Sequence, residues 1–196
     1  MAVRNGFASQ YPGLTARWLG PTWRPFTWAA LSSYCGYGSE PTYYDYGAST
    51  VYQGDTVYVN GDATATSAEY ATQATAIADV PPPASPPKDD EFMTLGVFGM
   101  VQGDETVANQ VVQLQVNQQG VIQGEYYNAT TDTTEKLAGS VDKKTQRAAW
   151  KVGENQKVVY EAGIANLTKP ETTMLIHYGS EKTQQWTLVR IENEQK

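Results

Sequence analysis

Val111-Val-Gln-Leu-Gln-Val-Asn117, followed by Gln118-Gln-Gly120 and Val121-Ile-Gln-Gly-Glu-Tyr-Tyr127, decides how the second half of this chain reads. In the first stretch Val112, Leu114 and Val116 fall on one side and Gln113, Gln115 and Asn117 on the other, the period of a half-buried strand. Gln119-Gly120 supplies a turn, and Ile122, Gly124 and Tyr126 continue the inward set. Outward from this pair the pattern repeats. Residues 95–101 precede it, and 136–142, 147–152, 158–165, 173–178 and 185–191 follow. Gly103-Asp104, Thr131-Asp132, Asp142-Lys143, Gly153-Glu154, Lys169-Pro170 and Gly179-Ser180 separate them with turn chemistry. Eight short strands with no helical stretch between them predict a mainly β domain over 92–196, an eight-stranded antiparallel barrel or sandwich. Gly99, Gly124, Gly139 and Gly163 interrupt good strands and mark bulges or bends that let a sheet curl, which favours the closed barrel. An eight-stranded barrel is just wide enough for side chains to fill it, or for one small ligand. Phe98, Tyr126, Trp150, Tyr160 and Trp186 are the side chains expected in that interior, with Ala148, Val152, Met174, Ile176 and Tyr178 on the same face.

The preceding residues divide by composition. Residues 1–40 form an aromatic segment in which Trp18, Trp23 and Trp28 recur every five residues, neither a helical nor a strand period. Pro25 suits the first turn of a short helix over 26–34 that ends at Gly36, with Trp28, Leu31 and Cys35 on one face. Such a helix is too short to stand alone. Trp18, Trp23, Phe26, Trp28, Leu31 and Tyr34 are therefore candidate contacts to a protein partner or to a second copy of the chain, making an oligomer. Residues 41–79 read as a tyrosine-rich hairpin, built on Thr50-Val-Tyr-Gln-Gly-Asp55 and Thr56-Val-Tyr-Val-Asn-Gly-Asp62, and then a helix. Thr66-Ser-Ala-Glu69 is a capping box, and Tyr70, Ala74 and Ile77 share the apolar stripe behind it. Val80-Pro-Pro-Pro-Ala-Ser-Pro-Pro-Lys88 ends that helix and makes 80–91 a proline-rich linker.

Composition narrows function. Among 196 residues only 14 are Lys or Arg, and the net charge is −7, so a phosphate-binding surface for nucleic acid is not expected. Cys35 is the single cysteine, which leaves no intrachain disulfide and no thiolate zinc site; it reads as a small buried residue before an intermolecular disulfide or lipid attachment. No run is long enough for a membrane span. The start, Met1-Ala-Val-Arg-Asn-Gly6, has no export-signal pattern, yet 13 Tyr, 5 Trp and few charges suit an extracellular or envelope protein. There is no nucleophile elbow, zinc-protease motif or phosphate loop. His177, the one histidine, lies in a strand alternating with Met174, Ile176 and Tyr178 and is expected to face solvent. Glu125, Glu135 and Glu161 read as scattered surface acids. No catalytic residue, metal ligand or cofactor is therefore assigned, and no enzymatic activity is expected. Asn128-Ala-Thr130 and Asn166-Leu-Thr168 match the glycosylation triplet and are expected at exposed strand ends.

Several runs carry a family resemblance. Gly124-Glu-Tyr-Tyr-Asn-Ala129, Gly139-Ser-Val-Asp-Lys-Lys-Thr-Gln-Arg-Ala-Ala-Trp150, Tyr160-Glu-Ala-Gly-Ile-Ala-Asn-Leu-Thr168 and Thr183-Gln-Gln-Trp-Thr-Leu-Val-Arg190 resemble the C-terminal module of planctomycete proteins labelled mu-protocadherin or cell-surface protein. Thr42-Tyr-Tyr-Asp-Tyr-Gly47 and Val57-Tyr58 resemble the tyrosine-rich part of that group. The resemblance implies a secreted, cell-surface or envelope setting and supplies no catalytic residues. The leading expectation is a non-catalytic surface protein with a structural, assembly or adhesion role. A small-molecule-binding barrel, lipocalin-like in principle with Trp150 and Trp186 at its pocket, is the second reading, and a carboxylate-dependent hydrolase the third.

Overall fold

The strand alternation closes into a barrel in a computed structural model that describes Trp18 and residues 23–38, 40–79 and 91–191. In chain order the elements are α1 (Trp28–Cys35), β1 (Thr50–Gln53), β2 (Thr56–Val59), β3 (Asp62–Thr66) and α2 (Ser67–Ala78). Then come β4 (Phe92–Val101), β5 (Gln110–Asn117), β6 (Val121–Asn128), β7 (Thr133–Asp142), β8 (Arg147–Val152), β9 (Val158–Gly163), β10 (Glu171–Tyr178) and β11 (Lys182–Ile191). From β4 to β11 each strand pairs antiparallel with the next, and β11 closes on β4. Closure leaves this sheet without an edge to blunt. Residues 1–17 and the proline-rich stretch 80–90 lie outside the described residues.

Register follows the alternation: Val112 opposes Tyr126, Leu114 opposes Gly124 and Val116 opposes Ile122. Gly124 and Gly139 are not bulges, since both pair in register. A Cβ at Gly124 would stand 1.8 Å from the Gln113 carbonyl oxygen, and one at Gly139 2.0 Å from that of Ala149. These glycines let strongly coiled neighbouring strands approach closely. The register shift lies instead between Thr94 and Gly96.

Side chains fill the barrel. Phe98, Leu114, Trp150, Met174 and Leu188 are each fully buried in one cluster that runs the length of the interior. One end is closed by α1. Thr27 accepts the Ala30 N–H at its start and Gly36 ends it in the left-handed region, so the helix begins two residues later than Pro25 suggests. Leu31 and Cys35 enter the barrel core, the Cys35 thiol donates to the Asn117 carbonyl, and Lys143 donates to the carbonyls of Cys35 and Gln118. Among the described residues no helix is long and apolar enough to cross a membrane.

The outer face departs from expectation. It was expected to be solvated, but across β8, β9 and β10 it lies beneath a second layer. Tyr44, Tyr46, Val57 and Tyr70 pack with Leu175 there, and Ala74 and Ala78 of α2 pack with Ala149 and Val159. The layer comprises the antiparallel sheet β1-β2-β3 and α2, whose capping box forms as predicted from Thr66 and Glu69.

Candidate functional site

Neighbouring outward positions of β8, β9 and β10 carry Arg147, Glu161 and His177. Glu161 sits directly opposite Ala149 and Leu175, so Arg147 and His177 are its diagonal neighbours, within reach of long side chains. Arg147 grips the carboxylate with two bonds, Nε to Oε1 at 2.7 Å and Nη2 to Oε2 at 3.0 Å. His177 Nε2 stands 2.8 Å from Oε2, and the Tyr46 hydroxyl donates to Oε1 at 2.8 Å. Glu161 and His177 are fully buried and Arg147 nearly so. Burial alone would push the Glu161 carboxyl up. The Arg147 charge and the bonds from His177 and Arg147 outweigh it and hold the group at about 2. The same carboxylate raises the Arg147 guanidinium against its own desolvation.

The cluster ties the outer layer to the barrel. Arg147 donates on to the Tyr70 carbonyl at 3.1 Å and to Gln73 Oε1 at 2.7 Å, and its guanidinium lies 3.7 Å from the centre of the Tyr70 ring. Lower on the barrel Asn166 does similar work with a neutral amide. Its Oδ1 accepts the Tyr44 N–H at 2.8 Å, and its Nδ2 donates to the Tyr44 carbonyl and to Thr172 Oγ1. Asn166 is fully buried, which corrects the expectation that its triplet marks an exposed end: those bonds already use the amide that a sugar would need.

His177 is likewise corrected, from a solvent-facing residue to the buried centre of the cluster. With Glu161 ionised, His177 Nε2 donates to it, and Nδ1 shares a hydrogen bond with the Thr183 hydroxyl at 2.9 Å. Thr183 in turn lines a cleft of about 510 Å³ between the loop and strand of Tyr46, Gly47 and Thr50 to Tyr52 and the β10–β11 hairpin. A second groove of about 970 Å³ runs over the outer faces of β5 to β8, past Gln113, Gln115, Gln123, Glu125, Lys136 and Lys151. A carboxylate bonded on both oxygens and held at about 2 has no proton to exchange near neutrality.

The residues expected inside the barrel are there. Phe98 and Trp150 are fully buried, Tyr126 is buried, and the half-buried Tyr160 stacks on Trp150 with ring centres 6.3 Å apart. Trp186 packs against the same core. The N-terminal aromatics lie against this chain's own barrel. Leu31 is in its core, with Phe26, Trp28 and Tyr34 beside it. Trp18 lies on the outer face with Val97, Val111, Tyr127 and Ile191, its indole donating to Glu125 at 2.6 Å. Trp23 donates to the Thr94 carbonyl. That placement buries Trp18 and Leu31 and leaves Trp23, Phe26, Trp28 and Tyr34 half-buried. Arg147 and the pairing of Glu161 with His177 were missed. One signal was legible: Ala149, Val159 and Leu175, all outward, are apolar, which a solvated face does not require. Comparison of the chain with family models, curated proteins and solved structures finds no match.

Proposed function

We propose that this protein is a non-catalytic cell-surface or envelope protein that works through its outer surface in a structural, assembly or adhesion role. One observation carries the reading: the barrel's space and its buried charges are both occupied internally. The interior is packed with the chain's own side chains, and the carboxylate that lies nearest to the histidine is saturated by Arg147, His177 and Tyr46. What remains to meet another molecule is the polar exterior, including the two clefts. The resemblance to surface-protein modules supports the extracytoplasmic setting. An epitope-tagged protein, expressed in its own cells and followed through fractionation and labelling by an impermeant reagent, is expected in the labelled envelope fraction. Recovery in an unlabelled cytosolic fraction overturns the reading.

A further inference from the structure

The β1 side of the 510 Å³ cleft is lined with hydroxyls whose hydrogen bonds are incomplete. Thr50 is fully buried in its wall, and its Oγ1 has no partner; the Tyr52 hydroxyl, also buried, has none either. The Tyr52 hydroxyl lies close to Thr183, and burial pushes its pKa well up, so it keeps its proton. A buried donor left unmade costs about 1–3 kcal/mol, so two in one wall call for an explanation. Thr183 Oγ1 shares one hydrogen bond with His177 Nδ1 and, as a hydroxyl, keeps the capacity for another. In front of these groups lie Ser67, Ser180, Glu181 and Gln185, with Val51 and Leu175 as the apolar part of the lining.

We propose that this cleft binds a neutral sugar residue. A sugar hydroxyl both donates and accepts, which matches neighbouring protein hydroxyls that can each do both. An anion is disfavoured: among the described residues the lining holds no Lys, Arg or His, has Glu181 at its rim, and lies in front of ionised Glu161. An ammonium group only donates and gives the Thr50 and Tyr52 protons no acceptor. A lipid chain would leave the lining hydroxyls and Glu181 without partners. The volume lies within the range of small-ligand pockets. The proposal rests on the surface-binding reading above and names its ligand class.

The test is titration of the isotope-labelled full chain with a panel of neutral methyl glycosides at about 10 mM, a level that fills sites of millimolar Kd. The expected result is saturable movement of the Gly47, Val51, Thr183 and Gln185 amides with at least one member of the panel. No movement with any member, or movement confined to Gln115 and Gln123, overturns the proposal. Gln185→Ala, at the exposed rim, is expected to weaken binding by up to about tenfold, the loss of one hydrogen bond. Tyr52→Phe distinguishes a ligand-directed hydroxyl from one that serves the fold. It is expected to melt no lower than the parent while binding about tenfold more weakly. A lower melting temperature with unchanged affinity means that the hydroxyl is paired within the protein, and overturns the assignment. Envelope location is measured separately, so loss of the sugar site leaves the surface-protein reading to its own experiment.

Discussion

The two faces of β8, β9 and β10 are held by opposite means. Inward, Trp150, Ala162, Met174 and Ile176 bury apolar area, which is non-directional and tolerates exchange at similar volume. Outward, only a backbone step away, the Arg147–Glu161 ion pair and the His177 bonded to it form a desolvated cluster whose members depend on one another. Taking such charges out of water costs several kcal/mol per ion, recovered only if every partner is present. One wall thus separates a core that fails gradually from a joint that fails when a single group is lost. The joint also decides where the tyrosine-rich layer sits, because Tyr46, Tyr70 and Gln73 are all fixed to it.

The largest effect is expected on the inner face. Trp150→Ala removes the largest fully buried side chain and should cost about 3–5 kcal/mol in chemical denaturation. Trp150→Phe should cost much less, because volume is partly kept. Equal costs for the two would show that the indole, not its volume, matters inside the barrel.

Glu161→Gln tests the outer face, with an expected loss of about 3 kcal/mol, since it leaves the Arg147 charge buried without its counter-ion. A double variant, Arg147→Met with Glu161→Gln, should recover a large part of that loss, a coupling that a double-mutant cycle reads directly. Additive costs would mean that the two side chains do not share one desolvated site. The same bond is legible in pH. The folded carboxyl sits at about 2, below its ordinary 4.5, so its stabilisation is fully present above about 4.5 and is lost as pH falls towards 2. The parent should weaken over that window by more than Glu161→Gln does, as followed by urea midpoints at successive pH values. Identical acid slopes would break the claim that the outer face depends on this carboxylate.

The difference between the faces also explains what the sequence discloses. The inward set is written locally: Val112, Leu114 and Val116 alternate within five residues, and so do Ala148, Trp150 and Val152, so closure and core could be read without knowing any partner. The outward cluster is written at a distance. Arg147 meets the Tyr70 carbonyl 77 residues away, and Glu161 meets Tyr46 across 115. Alternation alone places His177 outward, which is correct, and then equates outward with wet, which is not. Asn166 misled for the same reason, as its partners Tyr44 and Thr172 turn a surface motif into a buried clamp. The cleft was not legible at all, because it lies between the β1 segment and the β10–β11 hairpin, far apart in sequence.

The smallest expected effect asks whether the outer layer and the barrel melt as one unit. Thr66 accepts the Glu69 N–H at 3.2 Å, and Glu69 accepts the Thr66 N–H at 2.8 Å, both exposed and away from the core. Thr66→Ala removes this reciprocal cap and should cost about 1 kcal/mol. It touches neither the barrel nor the ionic cluster, yet α2 carries Tyr70 and Gln73 to Arg147, so fraying at Thr66 loosens one arm of the joint. Hydrogen exchange separates two outcomes. If the layer opens independently, amides of α2 lose protection while those of β5 and β6 keep theirs, the pattern of a low-stability unit on a stable one. If amides of β5 and β6 lose protection to the same extent as α2, the ionic cluster transmits the loss across the wall, and the inner and outer faces form a single cooperative structure. Independent opening is the expected result, because β5 and β6 bury Val112, Leu114, Val116 and Ile122 in the barrel core and touch α2 through none of them.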